Sequence, residues 1–479
     1  MISFEMPEKI EHAVVLAETI AENMMRPVSR HFDENEHEIP WDYIEFMHTS
    51  LKALGGGGLT PSGEKKEKKE KKEGPRIAFQ RMAFQTEMLS WGDVGLWLCT
   101  PGGGLGAAAV NAAGTDEQKE RFLARHRGEK PVFDAFALTE PHAGSAMPAE
   151  VRTTAVRDGD EWVLNGEKIF ITAGHKALVD SDGFVVVWAT IDPKAGRAGV
   201  RPFVVEAGTP GCKVTKLEHK LGIRASDTAS VVLEDCRIPL ENLLGSAEVV
   251  KPENKKGFKG AMATFDATRP VVASSALGIA RATLERLKEI LAEHGVEIRY
   301  GLPRSRMTNL EREIVDMEIM LRSTWLLTLK AMWQMDERKP NTLAASMSKV
   351  RAGDVVVKIT QRAVELLGPL GYSREYLLEK WFRDAKINDL YEGTGQINRL
   401  IVARQAGGDS RLMGLAAWFH ERSDFYGLSN QESGRDWIRN DGWQHRGALR
   451  RPGDSNVSAG HRPQGIDGCG ERRRLDLER

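Results

Sequence analysis

Apolar residues recur at helical spacing over the first quarter of the chain. Ile10, Val14, Ala17 and Ile20–Ala21 share one helix face, and the stretch from Phe79 to Leu89 behaves in the same way. Between about 134 and 248 the period shortens. Val185-Val186-Val187-Trp188, Phe203-Val204-Val205 and Val231-Val232-Leu233 are short β-rich runs bounded by Gly, Asp and Pro, which predicts strands. Asn165-Gly166, between two such runs, predicts a hairpin turn. From about 257 the helical period returns. Val272, Ala276, Ile279, Thr283, Leu287 and Ile290 trace one stripe, and helical patterns follow over 309–335, 341–367 and 374–387. The expected organisation is an N-terminal helical domain over 1–133, a central β domain over 134–248 and a C-terminal helical bundle over 249–405.

Two segments do not fit a packed core. Residues 63–74 hold a Glu-Lys-Lys repeat between Gly55–Gly58 and Gly74-Pro75, with nothing to bury, so a disordered solvated insertion is expected. The stretch 406–479 is rich in Gly, Arg, Asp and Ser, with isolated Trp418, Trp437 and Trp443, and reads as a disordered or atypical tail. A chain of 479 residues exceeds what one core supports, so two or three domains are expected. A net charge of −1 gives no electrostatic case for nucleic acid or a membrane surface. No run has the length of a transmembrane helix. Cys99, Cys212, Cys236 and Cys469 are scattered without metal-ligand spacing, which suits a reducing compartment and no metal site. The first residues match neither a secretory leader nor a transit pattern, so a cytoplasmic location is expected.

The strongest chemical signal is the stretch from Asp389 to Ile401. Gly393 and Gly395 are poor helix formers and Thr394 is a natural N-cap, so Glu392 sits in a turn at a helix entrance beside Tyr391. Burial there would raise its pKa toward that of a useful general base. The same residues also fit an ordinary acidic side chain facing a helix dipole. Four further segments stand out. Phe136 to Ser145 contains a tight loop set by Pro141 and Gly144, and Thr139 and Ser145 offer hydroxyls that suit a pyrophosphate. The others are Leu164 to Thr172, Lys220 to Thr228 and Phe265 to Pro270.

These five segments, in this order, resemble the acyl-CoA dehydrogenases, and the resemblance covers roughly residues 5 to 405. It implies an α+β fold: an N-terminal helical domain, a central β-barrel-like domain and a C-terminal four-helix bundle. It implies FAD as cofactor, an acyl-CoA thioester as substrate and Glu392 as the base that removes the α-proton. By the same resemblance Thr139 contacts the flavin pyrimidine side, with Phe136, Leu138 and Gly144 beside it. Ser145 lies at the flavin pyrophosphate and the acyl-CoA. Phe170 forms an apolar wall where the family usually has Trp, followed by Ile171 and by Thr172 near flavin N5. Thr394, Gly395 and Gln396 complete the cofactor contacts in the catalytic segment. Asp266, Arg269, Tyr391 and Gly393 lie toward the substrate, with Arg269 toward the CoA portion. Residues Glu365, Leu366, Leu367, Gly368 and Pro369 match a loop that reaches the flavin dinucleotide of a neighbouring subunit, and Arg299 stands in for a degraded Arg position nearby.

Some positions depart from the family. His142 replaces a usual Gly, Ala146 a usual Asp, Glu365 a Gln and Pro369 a second Gly. Some relatives carry their base at the helix position occupied here by Thr268, which cannot act as one, so within the resemblance the base falls to Glu392. The implied partners are an electron-transfer flavoprotein and further copies of the chain, as a homotetramer, with no nucleic acid and no membrane insertion. An acyl-CoA oxidase using oxygen, and a non-enzymatic DNA- or protein-binding member of the same fold, are the alternatives. Acyl chain length, branching and pathway are not legible.

Overall fold

Among the described residues six α-helices precede the first strand: α1 (Glu8–Ile20), α2 (Ser29–Glu34), α3 (Trp41–Ala53), α4 (Ala78–Trp97), α5 (Leu105–Ala113) and α6 (Asp116–Leu123). The computed structural model describes residues 6–53, 76–144, 151–248 and 259–406. The charged insertion at 63–74, Ser145, Ala146 and the tail beyond 406 lie outside the described residues. As the spacing predicts, α1 buries Ile10, Ala17 and Ile20, and it packs on α4. Inside α4 the helical geometry breaks at Asp93, with φ −165° and ψ 122°.

Seven strands form one sheet: β1 (Asp134–Ala137), β2 (Thr154–Asp158), β3 (Glu161–Thr172), β4 (Phe184–Thr190), β5 (Val200–Glu206), β6 (Cys212–Leu217) and β7 (Thr228–Pro239). Their order is β1-β4-β2-β3-β7-β6, with β5 paired to β4. The expected turn at Asn165-Gly166 is not there. Both residues lie within β3, and the β2–β3 reversal falls at Gly159-Asp160, where Gly159 has φ +59°. Gly166 is required for a different reason. A Cβ on it would come within 2.5 Å of Thr153 Oγ1, at a point where the β3–β7 register slips. In a strand, glycine often marks such a close approach.

The C-terminal bundle consists of α7 (Lys259–Glu293), α8 (Asn309–Asp336), α9 (Thr342–Leu367) and, after the short α10 (Pro369–Tyr372) and α11 (Leu378–Ala385), the closing α12 (Gly395–Ala406). All six residues of the α7 stripe are buried. Pro270 sits inside α7 and has no N–H to offer the carbonyl of Asp266. The Asn341 side-chain amide supplies that bond instead, at 2.9 Å. A buried ionic cluster ties the three regions together. Lys380 of α11 donates to Asp93 and Asp384 at 2.7 Å each, and the Ser29 hydroxyl also bonds Asp93. Asp384 in turn accepts the N–H of Ile223, in the loop before β7, at 2.6 Å. Among the described residues no helix is long and apolar enough to cross a membrane.

Candidate active site

The chain between α11 and α12 makes a left-handed turn. Glu392 has φ +57° and Gly393 φ +88°. For an L-residue other than glycine this conformation costs about 1–2 kcal/mol, so something must impose it. Both carbonyls of the turn are pinned. Arg269 Nε donates to the Glu392 carbonyl at 3.3 Å, while Lys349 Nζ and Asn398 Nδ2 donate to the Gly393 carbonyl at 2.9 and 2.7 Å. The Thr394 hydroxyl accepts the N–H of Ile397 at 3.3 Å, which is the expected N-cap of α12.

The Glu392 carboxylate accepts the Thr268 hydroxyl at 2.7 Å and keeps some accessible surface. Burial pushes its pKa above the ordinary glutamate value. The Thr268 bond and the charges of Arg269 and Lys349 oppose that rise without cancelling it. A carboxylate in this state is the kind used as a general base. Thr268, which its chemistry rules out as a base, touches the Glu392 carboxylate.

Asp266 and Arg269 are paired at 3.0 Å, and Arg269 is buried, so this is not a surface ion pair. The second Asp266 oxygen accepts the Thr342 hydroxyl at 2.6 Å, and burial raises this carboxyl as well. The Arg269 guanidinium lies 5.6 Å from the Phe265 ring, which meets Phe136 edge-on at 5.6 Å. This aromatic chain links the Glu392 turn to the end of β1.

At that end, the Thr139 carbonyl accepts the Ile169 N–H at 2.9 Å, and Lys168 Nζ bonds the Leu138 carbonyl at 3.1 Å and Glu140 at 2.7 Å. Leu138 and Thr139 are thereby held against the segment Phe170 to Thr172. Ile171 is buried and Thr172 pairs with Thr228, but the register breaks between Lys168 and Ile171. The irregularity leaves Phe170 at φ +58° with 61 % of its surface exposed. A bulky residue with positive φ is an outlier, and bulges of this sort re-aim side chains next to functional sites. An exposed aromatic ring, with Thr172 two residues on and the Thr139 backbone bonded to the adjoining Ile169, is a setting that would suit a flat aromatic cofactor. His142 is not left-handed, so its replacement of Gly carries no backbone strain, and Gly144 is exposed.

The remaining expected residues are distributed differently. Gly395 is a packing glycine, since a Cβ there would lie 2.5 Å from Asp389 Oδ1, and Gln396 is exposed. The Tyr391 hydroxyl donates to Asn388 at 3.1 Å. Leu366 and Leu367 close α9, with Gly368 as its C-cap before Pro369. Arg299 pairs with Glu311 at 2.7 Å, and Arg362 bridges Glu313 and Glu365. Arg299 and Glu365 thus sit at one end of the bundle, where α8 begins and α9 ends. From Thr268 to its end at Glu293, α7 rises roughly 38 Å at 1.5 Å per residue, so that end is remote from Glu392.

The sequence reading missed Lys349, Asn398 and Asn341. Lys349 had a usable signal. It lies on the buried face of α9 with Ala345, Ala352 and Val356, and a lysine in an apolar stripe is almost never fully buried without a partner.

Comparison with known proteins agrees with this geometry. The acyl-CoA dehydrogenase middle-domain model matches residues 135–236, and the C-terminal-domain model matches residues 255–407. The mitochondrial short-chain specific acyl-CoA dehydrogenase of Rattus norvegicus is 34% identical over 405 residues, covering 84% of this chain and 90% of that protein. The solved butyryl-CoA dehydrogenase of Megasphaera elsdenii is 30% identical with a TM-score of 0.71, covering 85% of this chain and 100% of that one. A structure described as an electron transferring flavoprotein of Acidaminococcus fermentans is 32% identical with a TM-score of 0.72, covering 85% and 99% of the two chains. With its motifs in order, its fold in place and these matches over most of its length, the chain belongs to the acyl-CoA dehydrogenase family of oxidoreductases.

Proposed function

We propose that this protein oxidises a short-chain acyl-CoA thioester to its trans-2-enoyl-CoA, with Glu392 as the base that takes the α-proton. The observation that carries the proposal is the state of Glu392: a carboxylate in a left-handed turn, raised in pKa by burial and held by Thr268. Short-chain specificity follows the names of the rat and Megasphaera relatives.

A thioester carbonyl acidifies its α-carbon, and the charge that develops on oxygen needs donors placed in advance. The N–H of Glu392 has no acceptor among the described residues and is suited to be one such donor. Thr268 orients the carboxylate. Arg269, Lys349 and Asn398 keep the turn from relaxing, so the base needs no reorganisation when substrate arrives. Asp266, Tyr391 and Gly393 are proposed to line the thioester side, with Arg269 serving the turn and the CoA portion together.

FAD, when bound, supplies the acceptor for the β-hydride. Phe136, Leu138, Thr139, Gly144, Phe170, Ile171, Thr172 and residues 394–396 would hold it from this subunit, with Ser145 at the pyrophosphate. Arg299 and residues 365–369 would hold the adenine half of a neighbouring subunit's FAD, in keeping with their distance from Glu392. A homotetramer supplies that neighbour. It is supported by Ile319, Leu326 and Trp333, which stand exposed at seven-residue spacing along α8. An electron-transfer flavoprotein is the proposed acceptor, because the similar Acidaminococcus structure is described as an electron transferring flavoprotein. Cys99, Cys212 and Cys236 are free thiols, and the cytoplasm remains our proposal for location.

The test is anaerobic mixing of the yellow holoenzyme with acyl-CoA thioesters of graded length. Butyryl-CoA should bleach the flavin fastest. Glu392→Gln should keep flavin and enoyl-CoA binding but lose at least a hundredfold in the reductive step, the usual lower bound for a general base. Bleaching at parental speed in Glu392→Gln would refute the assignment. Reoxidation by air as fast as by the flavoprotein would move the reading to an oxidase.

A further inference from the structure

We propose that Lys349 is a positioning residue for the reaction, holding the left-handed turn by its hydrogen bond and keeping Glu392 ionised by its charge. The inference rests on the reading of Glu392 as base. It starts from an oddity of placement. Lys349 is 1% exposed, and its Nζ bonds the carbonyl of Gly393 at 2.9 Å, the residue directly after the base. Among the described residues Lys349 makes no ion pair with a carboxylate within 4 Å, unlike Lys168, Lys176 and Lys380, each of which touches one at close range.

Asn398 already serves the same carbonyl at 2.7 Å, so an ammonium is not needed merely to satisfy it. What the ammonium adds is charge beside a dehydrated carboxylate. Burial alone favours the protonated form of Glu392, and a protonated carboxyl cannot accept the α-proton. The groups that answer burial are the Thr268 hydroxyl, Arg269 and Lys349. Arg269 is already committed to Asp266 at 3.0 Å, so its charge is partly spent. Lys349 has no such partner, and its field falls on Glu392.

The charged groups around Lys349 are few and come from three elements. Glu392 and Asp389 of the turn favour its protonated form, as does Asp354 of its own helix, which is itself paired with Arg399 of α12 at 2.7 Å. Arg269 of α7 disfavours it, and burial disfavours it most, bringing its pKa down to about 8. The pair is therefore poised. Below its pKa of about 8 Lys349 is protonated and supports the carboxylate without a direct ion pair to it.

The experiment uses the FAD-loaded enzyme and three variants. Lys349→Met removes both donor and charge, Lys349→Gln keeps a neutral donor, and Lys349→Arg keeps the charge. The rate of flavin reduction is followed against pH. In parallel, infrared difference spectra follow the protonated carboxyl band of Glu392, identified by its loss in Glu392→Gln. In Met and Gln alike, the acidic limb and the carboxyl titration should move up by about one to two pH units, as a lost neighbouring charge does. That is roughly a ten- to hundredfold slower reduction on the acid side of the limb. Arg should hold both near the parental position.

If the limb and the band stay put in Gln and Met, while the rate falls equally at every pH, Lys349 only props the turn and the inference is overturned. If Met fails to fold, Gln decides the matter alone. If Glu392→Gln itself reduces flavin with the parental limb, the base assignment fails and this inference falls with it. That outcome is distinct from an unmoved limb over an inactive Glu392→Gln.

Discussion

Lys380 and Lys349 are buried to almost the same extent, at 2% and 1% exposure, yet their surroundings drive them in opposite directions. Burial opposes the charge of both. At Lys380 the contacts with Asp384 and Asp93 outweigh it and hold the ammonium above the ordinary lysine value. At Lys349 no carboxylate is in contact, burial wins, and the pKa falls to about 8. In the first arrangement the ammonium is held between two carboxylates, where helices α2, α4 and α11 meet the loop before β7. The second is left incomplete beside the Glu392 turn. A fold that pairs a buried lysine with carboxylates at one place, and does not at another, has left its unpaired ammonium beside the carboxylate proposed as the base.

The largest effect should come from opening the Lys380 cluster. Lys380→Met leaves Asp93 and Asp384 buried without their cation, a change that typically costs about 3–5 kcal/mol. Thermal or denaturant unfolding should show a large loss of stability, or no soluble protein. Lys349→Met should cost only about 1 kcal/mol, because Asn398 still holds the Gly393 carbonyl. Equal losses at the two sites would erase the distinction drawn between them.

A smaller effect is expected at Thr268. Its hydroxyl donates to the carboxylate of Glu392 and so favours the ionised form. Thr268→Ala removes that bond, the Glu392 pKa rises further, and activity is lost on the acid side first. The pH–rate profile should move its acidic limb upward while the plateau at higher pH is largely kept. A hydrogen bond to a charged group is worth about 1.5–3 kcal/mol, which bounds the shift at roughly one to two pH units. An unmoved limb would mean that Thr268 is a packing residue.

The same contrast explains what could be read in the sequence. The domain order, the α7 stripe and the Glu392 turn were legible because each rests on local rules: a period, a cap, a pair of glycines. Asn165-Gly166 misled because the pair is a turn signal only where the chain reverses, and here Thr153, just before β2, needed room instead. Lys349 could be seen as a lysine in an apolar stripe, but its role could not be read, for a related reason. Its meaning comes from Gly393, 44 residues away. The carbonyl of Asp266 shows this most plainly, since Pro270 announces a missing donor locally, but only the fold reveals that Asn341 replaces it.

The smallest effect tests whether strain is stored for function. Phe170 is left-handed and 61 % exposed, so it gains little from packing in this chain and bears the cost of its backbone. Glycine adopts positive φ freely, at the cost of greater freedom in the unfolded state. Phe170→Gly should therefore raise the stability of FAD-free protein by up to about 1 kcal/mol, less what the loosened unfolded chain takes back. The loaded enzyme should respond in the opposite sense, because the apolar wall proposed for the flavin is gone and FAD is held less tightly. The check is a pair of melting curves, with and without FAD, and a titration of the cofactor. Phe170→Ala serves as control, since it removes the ring but keeps the strain, and so should weaken FAD binding without stabilising the FAD-free form. If Phe170→Gly lowers stability in both states, the ring packs within the chain itself and the wall was misassigned. If glycine stabilises the FAD-free protein and FAD binding is untouched, the strain is real but serves something other than the cofactor.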